Sequence, residues 1–158
     1  LWMIEQGIAD PDRICIMGWS YGGYVALTAT FNTPDLYKCS ISVNGVTDLP
    51  AMLYDYSNFT GAASYWKRHI GEDKEQNKQT SAIYNIDKIK MPVLVIANRD
   101  DPTVNYKQST SFVKKMEKAG KSVRYFEIKE GGHGALEGVG RAVILKEAEK
   151  FLKENIGS

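Results

Sequence analysis

Gly18-Trp19-Ser20-Tyr21-Gly22 has the form G-x-S-x-G and is followed at once by Gly23. Between a strand and a helix, such a stretch forms a nucleophile elbow, a tight turn that exposes the serine hydroxyl for attack on a carbonyl. The residues two before and two after the serine then approach each other, so Gly18 and Gly22 are expected for steric reasons. Gly23 is expected to let the following helix pack closely. The Tyr21 N–H, at the start of that helix, is the expected oxyanion donor, assisted by the helix dipole.

A serine hydroxyl needs a base, and the chain has two histidines. His69 lies in a polar, aromatic segment, Trp66-Lys67-Arg68-His69. His133 lies in Gly131-Gly132-His133-Gly134, just after the last expected strand. In a parallel sheet the loops after the strands share one edge, which puts His133 beside Ser20. His133, not His69, is therefore the expected base. The carboxylate that would orient the imidazole is expected from Asp100-Asp101, after an intervening strand. The order Ser…Asp…His is that of α/β-hydrolases.

Strands and helices must position these groups. Arg13 to Met17 is a continuous apolar run, expected as a strand covered on both faces. Tyr24 to Phe31 reads as a helix, Lys38 to Val43 as a strand and Pro92 to Ala97 as a buried strand. Ser109, Phe112, Val113 and Met116 recur at helical spacing. Ser122 to Ile128 reads as the fourth strand and Gly140 to Asn155 as a closing helix. Residues 44–90, with aromatics such as Tyr54, Phe59, Tyr65 and Trp66, read as an irregular, partly helical insertion. Gly71 to Gln79 is expected to be its exposed loop. Strands alternating with helices argue for an α/β fold with a parallel sheet of about four strands.

The chain has 158 residues, 43% hydrophobic and 25% charged, with a net charge of +1. This fits one domain and excludes a disordered tail or a fibre. Near-neutral charge gives no support for a nucleic-acid partner. No run of about 18 apolar residues suggests a membrane span. Residues 1–60 hold two basic and six acidic residues, and the basic excess lies beyond them. Solvated helix faces account for that unevenness. Cys15 and Cys39 sit in apolar runs and are expected as buried, reduced thiols. There is no metal-type Cys/His spacing, and neither metal nor cofactor is expected. No signal peptide opens the chain, so a cytoplasmic, reducing location is expected.

The stretch Gly18-Trp19-Ser20-Tyr21-Gly22-Gly23-Tyr24 resembles the elbow of the prolyl oligopeptidase family of serine peptidases. Asp10-Pro11-Asp12-Arg13-Ile14 is also similar. Thr33-Pro34-Asp35-Leu36-Tyr37-Lys38 and Tyr65-Trp66-Lys67-Arg68-His69-Ile70-Gly71 resemble its dipeptidyl- and acylaminoacyl-peptidase branch. The resemblance covers nearly all of residues 1–158. It sets Ala97 to Asn105 in register with the family's H-G-x-x-D-x-x-V-P, which implies Asp101 as the carboxylate. Ala97, Asn98 and Asn105 stand where His, Gly and Pro are usual.

The resemblance implies a serine peptidase acting on a peptide substrate through Ser20, Asp101 and His133. By position, Val46, Leu49, Met52 and Tyr56 are candidates for the pocket that takes the residue before the scissile bond. The fold implied is a partial α/β-hydrolase fold carrying the last four of eight strands. The upstream half of the catalytic domain, with the second oxyanion donor, and a β-propeller are then expected partners. The strand at Arg13 to Met17 would have an open edge, so self-association is expected of the isolated chain. An esterase of the same fold, or a non-catalytic fragment, are the alternative readings.

Overall fold

In the computed structural model, which describes residues 1–57, 60–134 and 138–157, four strands carry the chemistry-bearing loops. They are β1 (Cys15–Trp19), β2 (Cys39–Val43), β3 (Val93–Asn98) and β4 (Val123–Ile128). All are parallel, in the order β1-β2-β3-β4. The helices are α1 (Trp2–Glu5), α2 (Tyr21–Asn32), α3 (Leu49–Tyr56), α4 (Thr60–Ile70), α5 (Lys74–Gln79), α6 (Lys107–Lys118) and α7 (Gly138–Ile156).

Alternation along the central strands sorts side chains onto two faces. Val93 and Val95 meet Leu27 and Phe31 of α2 and Phe112 and Met116 of α6. Ile41, Val43, Leu94 and Ile96 meet Ile144, Ala148 and Phe151 of α7 on the other face. Every residue of β2 and of β3 is buried, as expected of parallel strands covered on both faces. Where α2 crosses β2 the sheet presents small polar side chains. The Ser40 hydroxyl donates to the Ala26 carbonyl at 3.0 Å.

The first strand departs from expectation. It runs Cys15–Trp19, so it takes in the first two residues of the elbow, and α2 begins at Tyr21. It is an edge strand, and Met17 is 43% exposed. The segment 44–90 is more regular than its composition suggested. Asp48 caps α3 by accepting from the Ala51 N–H, and Asp73 caps α5 by accepting from Glu75 and Gln76. Gly71 to Gln79 is therefore not simply a loop, because a capping aspartate opens a helix within it. Gln108 of α6 accepts from the N–H groups of Thr47 and Asp48, which ties the start of α3 to α6. Phe59 lies outside the described residues.

The cysteines also correct the expectation. Cys15 and Cys39 are cross-strand partners in the β1/β2 ladder, with Cα atoms 4.7 Å apart, and they form a disulfide. Both side chains lie on the α7 face of the sheet. Parallel pairing brings together two thiols that are 24 residues apart in the chain. We expect alkylation in denaturant to modify neither cysteine without reductant and both after reduction. Mass spectrometry checks this, and two alkylated cysteines without reductant would contradict the pairing.

Candidate active site

Ser20 comes directly after β1, with φ 55° and ψ −118°. Few L-residues adopt such a backbone unless their surroundings hold it. The Ser20 N–H donates to the Val43 carbonyl at 2.8 Å, and its own carbonyl accepts from Tyr24. A Cβ on Gly18 would lie 2.0 Å from the Gly22 carbonyl oxygen, so position 18 admits only glycine. The crowding is one-sided, since a Cβ on Gly22 would meet nothing within 4 Å. Gly23 faces Gly45, and a Cβ on either would strike the other or the Ser42 hydroxyl. Gly45 was not singled out in the sequence, because it lies beyond the elbow and meets it only across the packed layers. The Tyr21 N–H is among the first four of α2, which have no partner within the helix.

His133 joins Ser20 to Asp101. Its Nε2 is 2.8 Å from Ser20 Oγ, and its Nδ1 is 2.8 Å from Asp101 Oδ2. An ionised carboxylate only accepts, so Nδ1 carries the proton and Nε2 accepts from the serine hydroxyl. The Asp101 side chain is 1% exposed. Its other oxygen accepts from the N–H groups of Thr103 and Val104, at 2.8 and 2.9 Å. The charge is thus buried with three donors around it, which offsets its loss of water. His69 lies apart on α4, exposed, stacked on Tyr65 with its Nδ1 against the Tyr65 carbonyl.

The loop bearing His133 is held by bonds that the motif reading did not identify. Trp19 Nε1 and Asn44 Nδ2 both donate to the His133 carbonyl, at 2.9 and 3.0 Å. Asn98 Nδ2 donates to the Gly132 carbonyl, and the Asn98 N–H donates to Asn44 Oδ1. Asn98, a departure from the family pattern, is thus built into the site. Asn105, another departure, accepts from the Lys107 N–H at the start of α6. Ala97 is buried in β3. Asp100 accepts from the N–H groups of Gly131 and Gly132, and these bonds hold its carboxyl below the usual range.

Val46, Leu49, Met52 and Tyr56 line a narrow hollow of about 40 Å³ together with Ser20 and Tyr21. Val104 closes the apolar cluster, and Tyr24, Trp66 and Ile70 pack against it. Val104 was legible in the D-x-x-V register, and Tyr24 ends the elbow motif. Tyr56 donates to the Thr103 carbonyl at 2.5 Å. Burial, then the nearby Asp101 and Asp55 charges, push its hydroxyl pKa up. A wider hollow of about 430 Å³ shares the walls Met52, Tyr56, Thr103 and Val104 and also reaches Asp101. Among the described residues, no group of three or more His, Cys, Asp or Glu side chains could hold a metal ion.

Comparison with protein families matches residues 1–158 to the prolyl oligopeptidase family. Dipeptidyl aminopeptidase BIII of Pseudoxanthomonas mexicana is 29% identical over 99% of this chain and 24% of its own length. Among solved structures, a Mycobacterium tuberculosis puromycin-hydrolyzing peptidase superposes with a TM-score of 0.91. It is 26% identical over 99% of this chain and 24% of that one. The uncomplexed Pyrococcus horikoshii acylaminoacyl peptidase superposes with a TM-score of 0.86, at 26% identity over 99% of this chain and 26% of that one. The chain thus spans about a quarter of the length of these relatives.

The Gly18 contact yields a direct expectation. Gly18→Ala should destabilise the fold by about 1–3 kcal/mol, because the nearest atoms are backbone and cannot swing away. Gly22→Ala should cost less than that. Thermal unfolding of the two variants checks the order, and equal losses would contradict it.

Proposed function

The chain belongs to the prolyl oligopeptidase family, and on that premise we propose that it carries the acyl-transfer centre of a serine peptidase. Ser20 is the nucleophile, His133 the general base and acid, and Asp101 the carboxylate that orients the imidazole. The observation that supports this most is the unbroken hydrogen-bond chain from Ser20 Oγ through His133 to Asp101, with both links at 2.8 Å.

In the first half of the reaction His133 Nε2 takes the Ser20 proton as Oγ attacks a peptide carbonyl. Asp101 stabilises the imidazolium without taking its proton. The carbonyl oxygen gains negative charge and meets the Tyr21 N–H, at the positive end of the α2 dipole. The tetrahedral adduct collapses. His133 returns the proton to the departing amine, and an ester to Ser20 remains. Water, deprotonated by His133, then attacks that ester. A second collapse frees the acid and restores the serine hydroxyl. No cofactor enters any of these steps.

The hollow beside Ser20 favours an apolar residue before the scissile bond, since Val46, Leu49 and Met52 line it. The relatives' names speak of dipeptidyl and acylaminoacyl peptidases. We carry over from them a peptide substrate processed near its amino end. An oxyanion hole generally uses two donors, and loss of one costs roughly 100- to 1,000-fold. From the family resemblance, and because the chain spans about a quarter of its relatives, we assign the second donor and a β-propeller gate to further chain, and the open side of β1 to a pairing strand. Without that strand the edge favours self-association.

No helix among the described residues is long and apolar enough to cross a membrane. The expected cytoplasmic location rested in part on free thiols. With Cys15 and Cys39 paired that ground is gone, and an oxidising compartment is where such a bond persists.

The test is hydrolysis of dipeptidyl- and acylaminoacyl-naphthylamides beside short-chain nitrophenyl esters. We expect amide turnover to fall by about 10,000-fold or more in Ser20→Ala. Undiminished turnover in that variant would overturn the assignment. Turnover confined to the esters would make the protein an esterase.

A further inference from the structure

We propose that Asp100, the carboxylate beside Asp101, is a positioning residue that sets the height of His133 over Ser20 by gripping the backbone in front of it. The proposal rests on the reading of His133 as the base.

The loop after β4 is intrinsically loose where it matters. Gly131 and Gly132 have φ of 151° and 58°, and a Cβ on Gly132 would meet nothing within 4 Å. Position 132 is therefore glycine for its backbone conformation and not for space. Glycine has the most conformational freedom to lose, so two in a row before the working residue need restraints from outside.

The restraints divide cleanly. The carbonyls of Gly132 and His133 are held by Asn98, Asn44 and Trp19. The amides of Gly131 and Gly132 are held by Asp100 alone among the described side chains, one oxygen to each, at 3.1 and 3.0 Å. The next residue, Asp101, grips the ring of the same histidine. Two consecutive carboxylates thus hold the backbone before His133 and its imidazole. They sit on one short loop after β3, so their spacing is fixed by a single peptide unit.

An exposed aspartate accepting from two amides could be only a turn device. Here the two amides lead directly into the residue whose Nε2 must meet Ser20 Oγ, which gives the grip a second consequence. Displacement by about 1 Å at such a contact can cost on the order of 100-fold in rate. The same amide bonds hold the carboxyl below its usual range, so Asp100 remains charged at neutral pH and its bonds are charge-assisted.

The test compares Asp100→Asn, which keeps one acceptor, and Asp100→Ala, which keeps none, with the parent protein. Two readouts are used, kcat and KM for a naphthylamide and the NMR signal of the His133 Nδ1 proton held by Asp101. We expect kcat to fall about 10- to 100-fold in Asp100→Ala and less in Asp100→Asn, with KM unchanged. The Nδ1 proton signal should broaden in the same order, and amide exchange at Gly131 and Gly132 should quicken. Unchanged kcat and an unchanged Nδ1 signal in Asp100→Ala would overturn the proposal, as would losses that track thermal stability alone. Should Asp100→Ala fail to fold, Asp100→Asn decides by the same readouts. A parent protein that hydrolyses nothing counts against the functional reading, while the proton signal and amide exchange still judge Asp100.

Discussion

Ser20 is held at φ 55° and ψ −118°, a backbone setting that costs an L-residue on the order of 1–3 kcal/mol. The remainder of the fold is arranged so that it has no alternative. Behind it, Gly18 closes against the Gly22 backbone. Beside it, the Val43 carbonyl of β2 takes its N–H. Ahead of it, α2 is drawn onto the sheet through the Gly23–Gly45 contact and fixed by Leu27 and Phe31 in the core. Packing energy, spread over many apolar contacts, thus holds one strained residue whose hydroxyl must point outward.

The partners of Ser20 are held by different physics. Asp101 and His133 stand on loops, where there is little apolar surface to bury. Hydrogen bonds hold them instead: Asp101 is gripped by amides of its own loop, and the His133 loop by residues at the carboxyl ends of neighbouring strands. Trp19 ends β1, Asn44 comes just after β2, and Asn98 ends β3. A parallel sheet brings all these ends to one edge, which is why Trp19 and Asn44, 114 and 89 positions from His133, share its carbonyl. The buried Asp101 charge is tolerated because both its oxygens are occupied.

The serine elbow was legible because its pattern lies in five consecutive residues, of which Gly18 answers to a local contact with the Gly22 backbone. His133 and the pair Asp100-Asp101 were legible through their order and their positions after strands, and the resemblance register singled out Asp101. The loop-holding roles of Trp19, Asn44, Asn98 and Asp100 were not legible, although Trp19 lies in the elbow and Asp100 and Asn98 in the aspartate motif, since each acts on the His133 loop across the sheet edge. The helices α3 and α5 left signals in Asp48 and Asp73, yet the polar residues around Asp73 read as loop. Pairing of Cys15 with Cys39 needed the β1/β2 register, which only the assembled sheet supplies. The edge character of β1 was expected from the resemblance, but its extension to Trp19 was not.

On the proposed mechanism Ser20, His133 and Asp101 act as one unit. Covalent labelling with a fluorophosphonate, read by intact mass, tests it most directly because only an activated serine reacts stoichiometrically. A single addition mapped to Ser20 is expected, lost in His133→Gln and strongly slowed in Asp101→Asn. No addition, or labelling at Ser20 that persists without His133, would contradict it.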